Sequence, residues 1–156
     1  MITPQLLTTS PLFAGLSEDD LTRIALLAEE VTCTAGKTLF KEGEDASHLY
    51  ILLSGKVNVQ VQPIGLTQPL TVVSLNTAGQ LVGWSGFMQP GYYTAAALCM
   101  EDTRLIAFEG TAFNRLLDDN LALGLVIMRR IAGVISQRVR TLQSIVLKNL
   151  YHHDEQ

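Results

Sequence analysis

Between Val57 and Met100 the chain carries not one Asp, Glu, Lys or Arg. An ionic ligand placed against that stretch finds no side chain of opposite sign there, only backbone amides, hydroxyls and rings. Histidine and cysteine are scarce too. His48 is the one histidine outside the last five residues, and Cys33 and Cys99 are too few and too far apart for a C-x-x-C metal or redox motif. No Ser-His-Asp or Cys-His set can be assembled, which argues against an enzyme. The formal charge of −4 removes the basic surface that neutralises nucleic-acid phosphates. No basic-then-apolar leader opens the chain, and no apolar run approaches the roughly 18 residues of a membrane-spanning helix. These absences predict a cytoplasmic protein with two reduced thiols and no membrane partner.

What is present suits one domain with a real core: 156 residues, 47% apolar and 17% charged. Ser17-Glu18-Asp19-Asp20 places a capping hydroxyl three residues before a carboxylate. Leu21, Ile24, Leu27 and Ala28 follow at helical spacing, predicting a helix over about 17–29. From about Val31 to Glu109 short apolar stretches alternate with Gly, Pro and Asn, and Lys56 to Gln62 alternates β-branched with polar residues. Turns are expected at Ala35-Gly36, Glu42 to Asp45, Ser54-Gly55 and Asn76 to Gly79. Many short strands predict a mainly β sandwich or barrel over about 31–109, followed by C-terminal helices over about 110–150.

In the last third, Met128, Ala132, Ile135, Val139, Leu142 and Val146 are separated by alternating four- and three-residue steps, an a/d seam that predicts a helix paired with a second copy. Leu125, Ile131 and Ile145 lie beside that seam and would let one side cover the β-domain. Arg129, Arg130, Arg138, Arg140 and Lys148 read as the solvated flank of a coiled coil. After Leu150 a polar tail from Tyr151 to Gln156 is expected to fray. Its neighbouring His152 and His153 read as solvated residues, not a metal site.

Three segments closely resemble the cyclic-nucleotide-binding domain superfamily, which includes the catabolite activator protein and the regulatory subunits of protein kinase A: Pro11 to Ser17, Ala35 to Glu44 and Leu49 to Val57. The resemblance covers roughly residues 9–148. It implies a double-stranded β-helix, or jelly roll, with a short N-terminal helix and a long C-terminal dimerisation helix. It also implies a ligand site in a phosphate-binding cassette, where a short helix presents amides, a Gly-Glu pair holds the ribose and an Arg-Ser/Thr-Ala run holds the phosphate.

In this sequence Gly79 to Met88, followed by Tyr92 to Ala96, takes the place of the cassette. Gly83, Thr94 and Ala95 match its frame, whereas Trp84 stands at the glutamate and Tyr93 at the arginine. An absent ionic partner for a buried phosphate costs on the order of 2–5 kcal/mol, which disfavours cyclic AMP or cyclic GMP as a tight ligand, and no other cofactor is expected.

Three readings of the pocket stand. In one, the amides released by Gly83 and Gly86, the hydroxyls of Ser85, Tyr93 and Thr94 and the face of Trp84 bind a neutral or weakly anionic small molecule. In another, Trp84 and Phe87 fill the space and the domain only dimerises and contacts a separate effector protein. In the third, a cyclic-nucleotide site survives with an arginine from a partner helix, Arg138 or Arg140. Metal-dependent cupins and haem-bearing relatives share this architecture, but they need ligands that a lone His48 cannot supply. The transcription factors of the superfamily add a basic helix-turn-helix module of about 60–80 residues, for which little chain follows Leu150, so direct DNA binding is not expected.

Overall fold

Two hydroxyl caps set the start of the chain. Thr3 accepts from the Leu6 amide at the head of α1 (Pro4–Leu7), and Ser17 accepts from the Asp20 amide at the head of α2 (Glu18–Leu26). In the computed structural model, which describes residues 1–88 and 90–153, α2 is shorter than the expected 17–29. Ala28 already pairs with Phe108, opening strand β1 (Ala28–Cys33). Six residues of antiparallel pairing outweigh the helical spacing of Leu27 and Ala28. Val31 and Thr32 are β-branched, and Glu30 meets Arg104 of the neighbouring strand at 2.6 Å.

The strands that follow are β2 (Thr38–Phe40), β3 (His48–Ser54), β4 (Val57–Val61), β5 (Leu70–Leu75), β6 (Leu81–Val82), β7 (Ala96–Cys99) and β8 (Thr103–Glu109). They form two four-stranded antiparallel sheets in the orders β1-β8-β3-β6 and β2-β7-β4-β5, the jelly roll that the resemblance implies. Three of the four expected turns fall between strands, and the fourth, Ser54-Gly55, begins on the last residue of β3. Gly55 shows why the residue type matters there: its φ is +99°, and a Cβ would sit 2.7 Å from the Thr103 Cα.

The core has two parts. On the helix side, Phe13, Phe108 and Phe113 are fully buried and meet at tilted or edge-on angles, with Ile24, Leu49, Ile106 and Ile127 around them. Inside the roll, Leu52, Val57, Leu75, Ala97, Cys99 and Leu105 pack with Phe40 and Tyr93. Cys33 and Cys99 are free thiols; burial, then the neighbouring Cys33, pushes the Cys99 thiol up to about 12.

Glu109 ends β8 and caps α3 (Gly110–Asp119), its carboxylate accepting from the Ala112 and Thr111 amides at 2.7 and 3.1 Å. The Ala112 amide is the main reason its pKa falls below the ordinary carboxylate value. Asn120 then caps α4 (Leu121–His153), whose Leu123, Ile127 and Ile131 are buried against the domain. The helix runs past Leu150 to His153, so Tyr151 to His153 are helical where fraying was expected; Asp154, Glu155 and Gln156 lie outside the described residues. No helix among the described residues is long and apolar enough to cross a membrane.

Candidate functional site

Strand β6 ends at Gly83, whose left-handed φ of +73° turns the chain into a single 3-10 turn, Trp84–Phe87. A Cβ at Gly83 would lie 2.9 Å from Phe40 Cε1 and 3.2 Å from Tyr93 Cε1, so only glycine lets this turn begin over the two rings. The Gly86 amide donates to the Gly83 carbonyl at 3.0 Å. That amide therefore closes the turn and does not converge on a ligand. Gly86 is glycine for another reason: a Cβ there would collide with the His48 carbonyl of β3.

Tyr93 is placed by the segment on its other side. Its amide donates to the Glu44 carbonyl at 2.9 Å, and its carbonyl accepts from the Gly43 amide at 2.8 Å. The ring then stacks on Phe40 with centroids 3.8 Å apart and planes 12° apart. Its hydroxyl donates to the His48 carbonyl at 2.5 Å and accepts from the His48 amide at 3.2 Å. Burial raises the Tyr93 pKa, so a neutral, fully engaged hydroxyl stands where the resemblance implies a guanidinium. His48 begins β3, half-buried, with Nδ1 2.8 Å from Ser47 Oγ.

A cation is present nevertheless, supplied by this chain's own α4. Arg138 is half-buried, its Cζ lies 5.1 Å from the centroid of the Trp84 ring, and it donates to the Leu81 carbonyl at 2.9 Å. Burial lowers its pKa, but a guanidinium starts so high that it stays charged at neutral pH. The sequence reading put this residue on a solvated flank, or in a partner's helix. The structure corrects that: Arg138 and Arg130 both turn inward and bond backbone carbonyls, while Arg140 is exposed.

The structure brings Gly83, Trp84, Ser85, Tyr93, Thr94 and Ala95 around one hollow, together with Phe40, Val59 and Arg138. Gly86 does not line it. The hollow holds about 30 Å³, room for no more than a few water molecules. Its filling differs from that of the second reading, in which Trp84 and Phe87 occupy it. Phe87 points into the helix-side core against Phe113, and Trp84 forms a half-buried wall under Arg138; the volume is taken by the Phe40–Tyr93 stack. Phe40 lies 53 positions before Tyr93 in the chain. The signal that would have found it is the pairing of β2 with β7, which follows Tyr93 in the chain. Among the described residues no group of three His, Cys, Asp or Glu is placed to hold a metal.

The α4 seam is largely uncovered. Met128, Val139, Leu142 and Val146 are 46%, 47%, 40% and 56% exposed, and Ala132 is exposed as well. Ile135 is half-buried and packs against the domain's own core, so it is shared between seam and domain. Of the three flanking residues, Ile131 is buried and Ile145 half-buried, whereas Leu125 faces outward.

A crystal structure of a Geobacter metallireducens protein named for cyclic nucleotide binding superimposes with a TM-score of 0.78 at 31% identity, covering 89% of this chain and 99% of that one. The catabolite activator protein of Thermus thermophilus superimposes with a TM-score of 0.72 at 27% identity, over 91% of this chain and 63% of its own. The CRP-like cAMP-activated global transcriptional regulator of Mycobacterium tuberculosis is 22% identical over 147 residues, 94% of this chain. The chain spans 64% of that regulator's length. The family model for the cyclic nucleotide-binding domain matches residues 30–120, from β1 through the cassette to α3, and the chain belongs to the cyclic nucleotide-binding domain family.

Proposed function

We propose that this chain is a non-catalytic sensor or binding module whose cassette is closed by its own side chains, so that cyclic AMP and cyclic GMP bind weakly or not at all. The observation that carries this reading is the Phe40–Tyr93 stack inside a hollow of about 30 Å³, against the roughly 300–1,000 Å³ of a small-molecule site. A nucleotide entering it has to displace the stack, break the two Tyr93 hydroxyl bonds and lift Arg138 from Trp84. With Trp84 and Tyr93 at the ionic positions, little is gained in return.

Output runs through α4 in this account. Arg138, which covers the cassette, is followed directly by Val139 of the exposed seam, so a ligand or effector that shifts α4 at Arg138 shifts the seam with it. The seam is the proposed contact with a second copy, an isologous two-fold pairing being the simplest closed solution. The cytoplasm is the compartment that fits free thiols, and DNA contact is not part of the reading at a formal charge of −4.

Arg138 favours a second reading, a conventional cyclic-nucleotide regulator, because a rotated guanidinium would supply the missing cation. Titration calorimetry with cyclic AMP and cyclic GMP separates the two. A dissociation constant weaker than about 10 μM is expected; a tighter one, worth more than about 7 kcal/mol, would establish the second reading.

A further inference from the structure

The face of α4 turned away from the seam closes over a second, larger hollow. Its apolar floor is built from Pro11 and Leu12 after α1, Val73 of β5, Leu81 of β6 and Val134 of α4, with Gln80, Gln137 and Thr141 among the polar residues at its sides. Its volume is about 500 Å³, within the range of small-molecule sites. Arg130 and Arg138 stand in its wall two turns apart on α4, and no Asp or Glu lines it. Neither arginine belongs to the ion pairs found among the described residues, Arg23 with Asp19 and Arg104 with Glu30.

Backbone carbonyls fix the two guanidinium groups. Arg130 donates to Leu12 at 2.9 Å and to Pro11 at 3.3 Å, and Arg138 donates to Leu81 at 2.9 Å. A guanidinium has five N–H donors in a rigid fork, and these bonds use two and one of them. Such a group is oriented but not neutralised. A carboxylate is its best complement, through short charge-assisted bonds, and the apolar floor offers contact only to a ligand that brings hydrocarbon with the charge.

We propose that the groove between α4, the Ser10–Leu12 segment and the β5–β6 turn binds a small organic carboxylate with an apolar body, its carboxylate paired with Arg138 and its body on the floor beside Arg130. This site lies beside the cassette and shares Arg138 with it. It touches the cassette through one residue: a carboxylate that draws Arg138 toward the groove takes it off the Trp84 ring.

Decanoate is a suitable probe, with decanol as the same body uncharged, followed by calorimetry and by the emission of Trp84, the only tryptophan in the chain. Saturable one-to-one binding of decanoate with a change in Trp84 emission is expected, with decanol and the Arg138→Gln variant about tenfold weaker or worse. Gly133→Trp should abolish binding. Gly133 lines the groove and a Cβ there meets nothing within 4 Å, so the indole fills the groove while the helix gains a better former than glycine. Equal affinity for decanol and decanoate, unchanged binding to a folded Gly133→Trp variant, or no saturable binding at millimolar decanoate would overturn the proposal.

Discussion

The two parts of the core use aromatic rings differently. Phe13, Phe108 and Phe113 meet at angles of 52° to 67° with centroids 5.3 to 6.4 Å apart, in a layer sealed by α2, α3 and α4. Phe40 and Tyr93 lie nearly parallel at 3.8 Å, flanked by a left-handed glycine, a tyrosine hydroxyl bonded to backbone and a guanidinium bonded to a carbonyl. The first is ordinary interior packing. The second, in the proposed reading, is a ligand pocket filled in by side chains, with polar groups still around it. The difference teaches that the backbone of this turn is held by packing, Gly83 against Phe40 of β2 and Gly86 against His48 of β3, whatever side chains line the hollow.

The sharpest test of how far the second region stays independent of the first lies in α4, which touches both. Val139→Asp with Leu142→Asp changes only exposed seam positions, sparing Ile135, which also packs on the domain core. In a dimer it buries two carboxylates per chain, at several kcal/mol each. Light scattering at tens of micromolar should show a dimer for the unaltered chain and a folded monomer for the variant. A monomeric parent would mean that the seam has no second copy as its partner.

Next in size is the contrast between the cores. Phe113→Ala should cost about 3–5 kcal/mol in urea unfolding, as expected for a fully buried ring in a layer that cannot collapse. Phe40→Ala should cost at least about 1 kcal/mol less, because Tyr93 and Arg138 can relax into the space. Equal losses would remove the distinction between interior and filled pocket.

Smaller again is Tyr93→Phe, which keeps the stack and removes the hydroxyl, leaving the His48 amide and carbonyl with one partner fewer; about 1–2 kcal/mol is expected. The smallest effect concerns Glu109. Its pKa lies below the ordinary value of about 4.3, so its stabilisation is complete above that pH and is lost as the pH falls through the lowered native value. Glu109→Gln should therefore cost about 1 kcal/mol or less near neutrality, given its exposure, and thermal unfolding from pH 7 to pH 3 should show that deficit shrinking at the acid end. A constant deficit would mean the cap acts through shape and not through charge.

Much of this was legible in the residues themselves. The order of helix, roll and helix followed from periodicity, and the Ser17 cap and four turns followed from residue type, because those signals are local. The end of α2 was misjudged because Leu27 and Ala28 continue a helical spacing that only the pairing of Ala28 with Phe108 overrides. The missing charges at Trp84 and Tyr93 were visible once the family pattern was laid on the chain. What fills their place was not, since Phe40 reaches Tyr93 across 53 positions and Arg138 reaches Trp84 across 54. Arginines on an amphipathic helix read as solvated by default, and nothing nearby in sequence marks the two that turn inward.

The central claim is that the cassette is closed because Phe40, Tyr93 and Arg138 occupy it, with its backbone still fit for a nucleotide. Parallel calorimetric titration of the parent and the Trp84→Glu, Tyr93→Arg double variant with cyclic AMP tests it most directly. The exchange removes the stack, restores a cation at the phosphate and gives Arg138 a carboxylate to pair with. The account predicts weak or undetectable binding by the parent and at least about a tenfold gain in the variant, or 1.4 kcal/mol. A variant that folds and dimerises as the parent does but gains nothing would contradict it, and so would a parent that already binds cyclic AMP at low micromolar concentration.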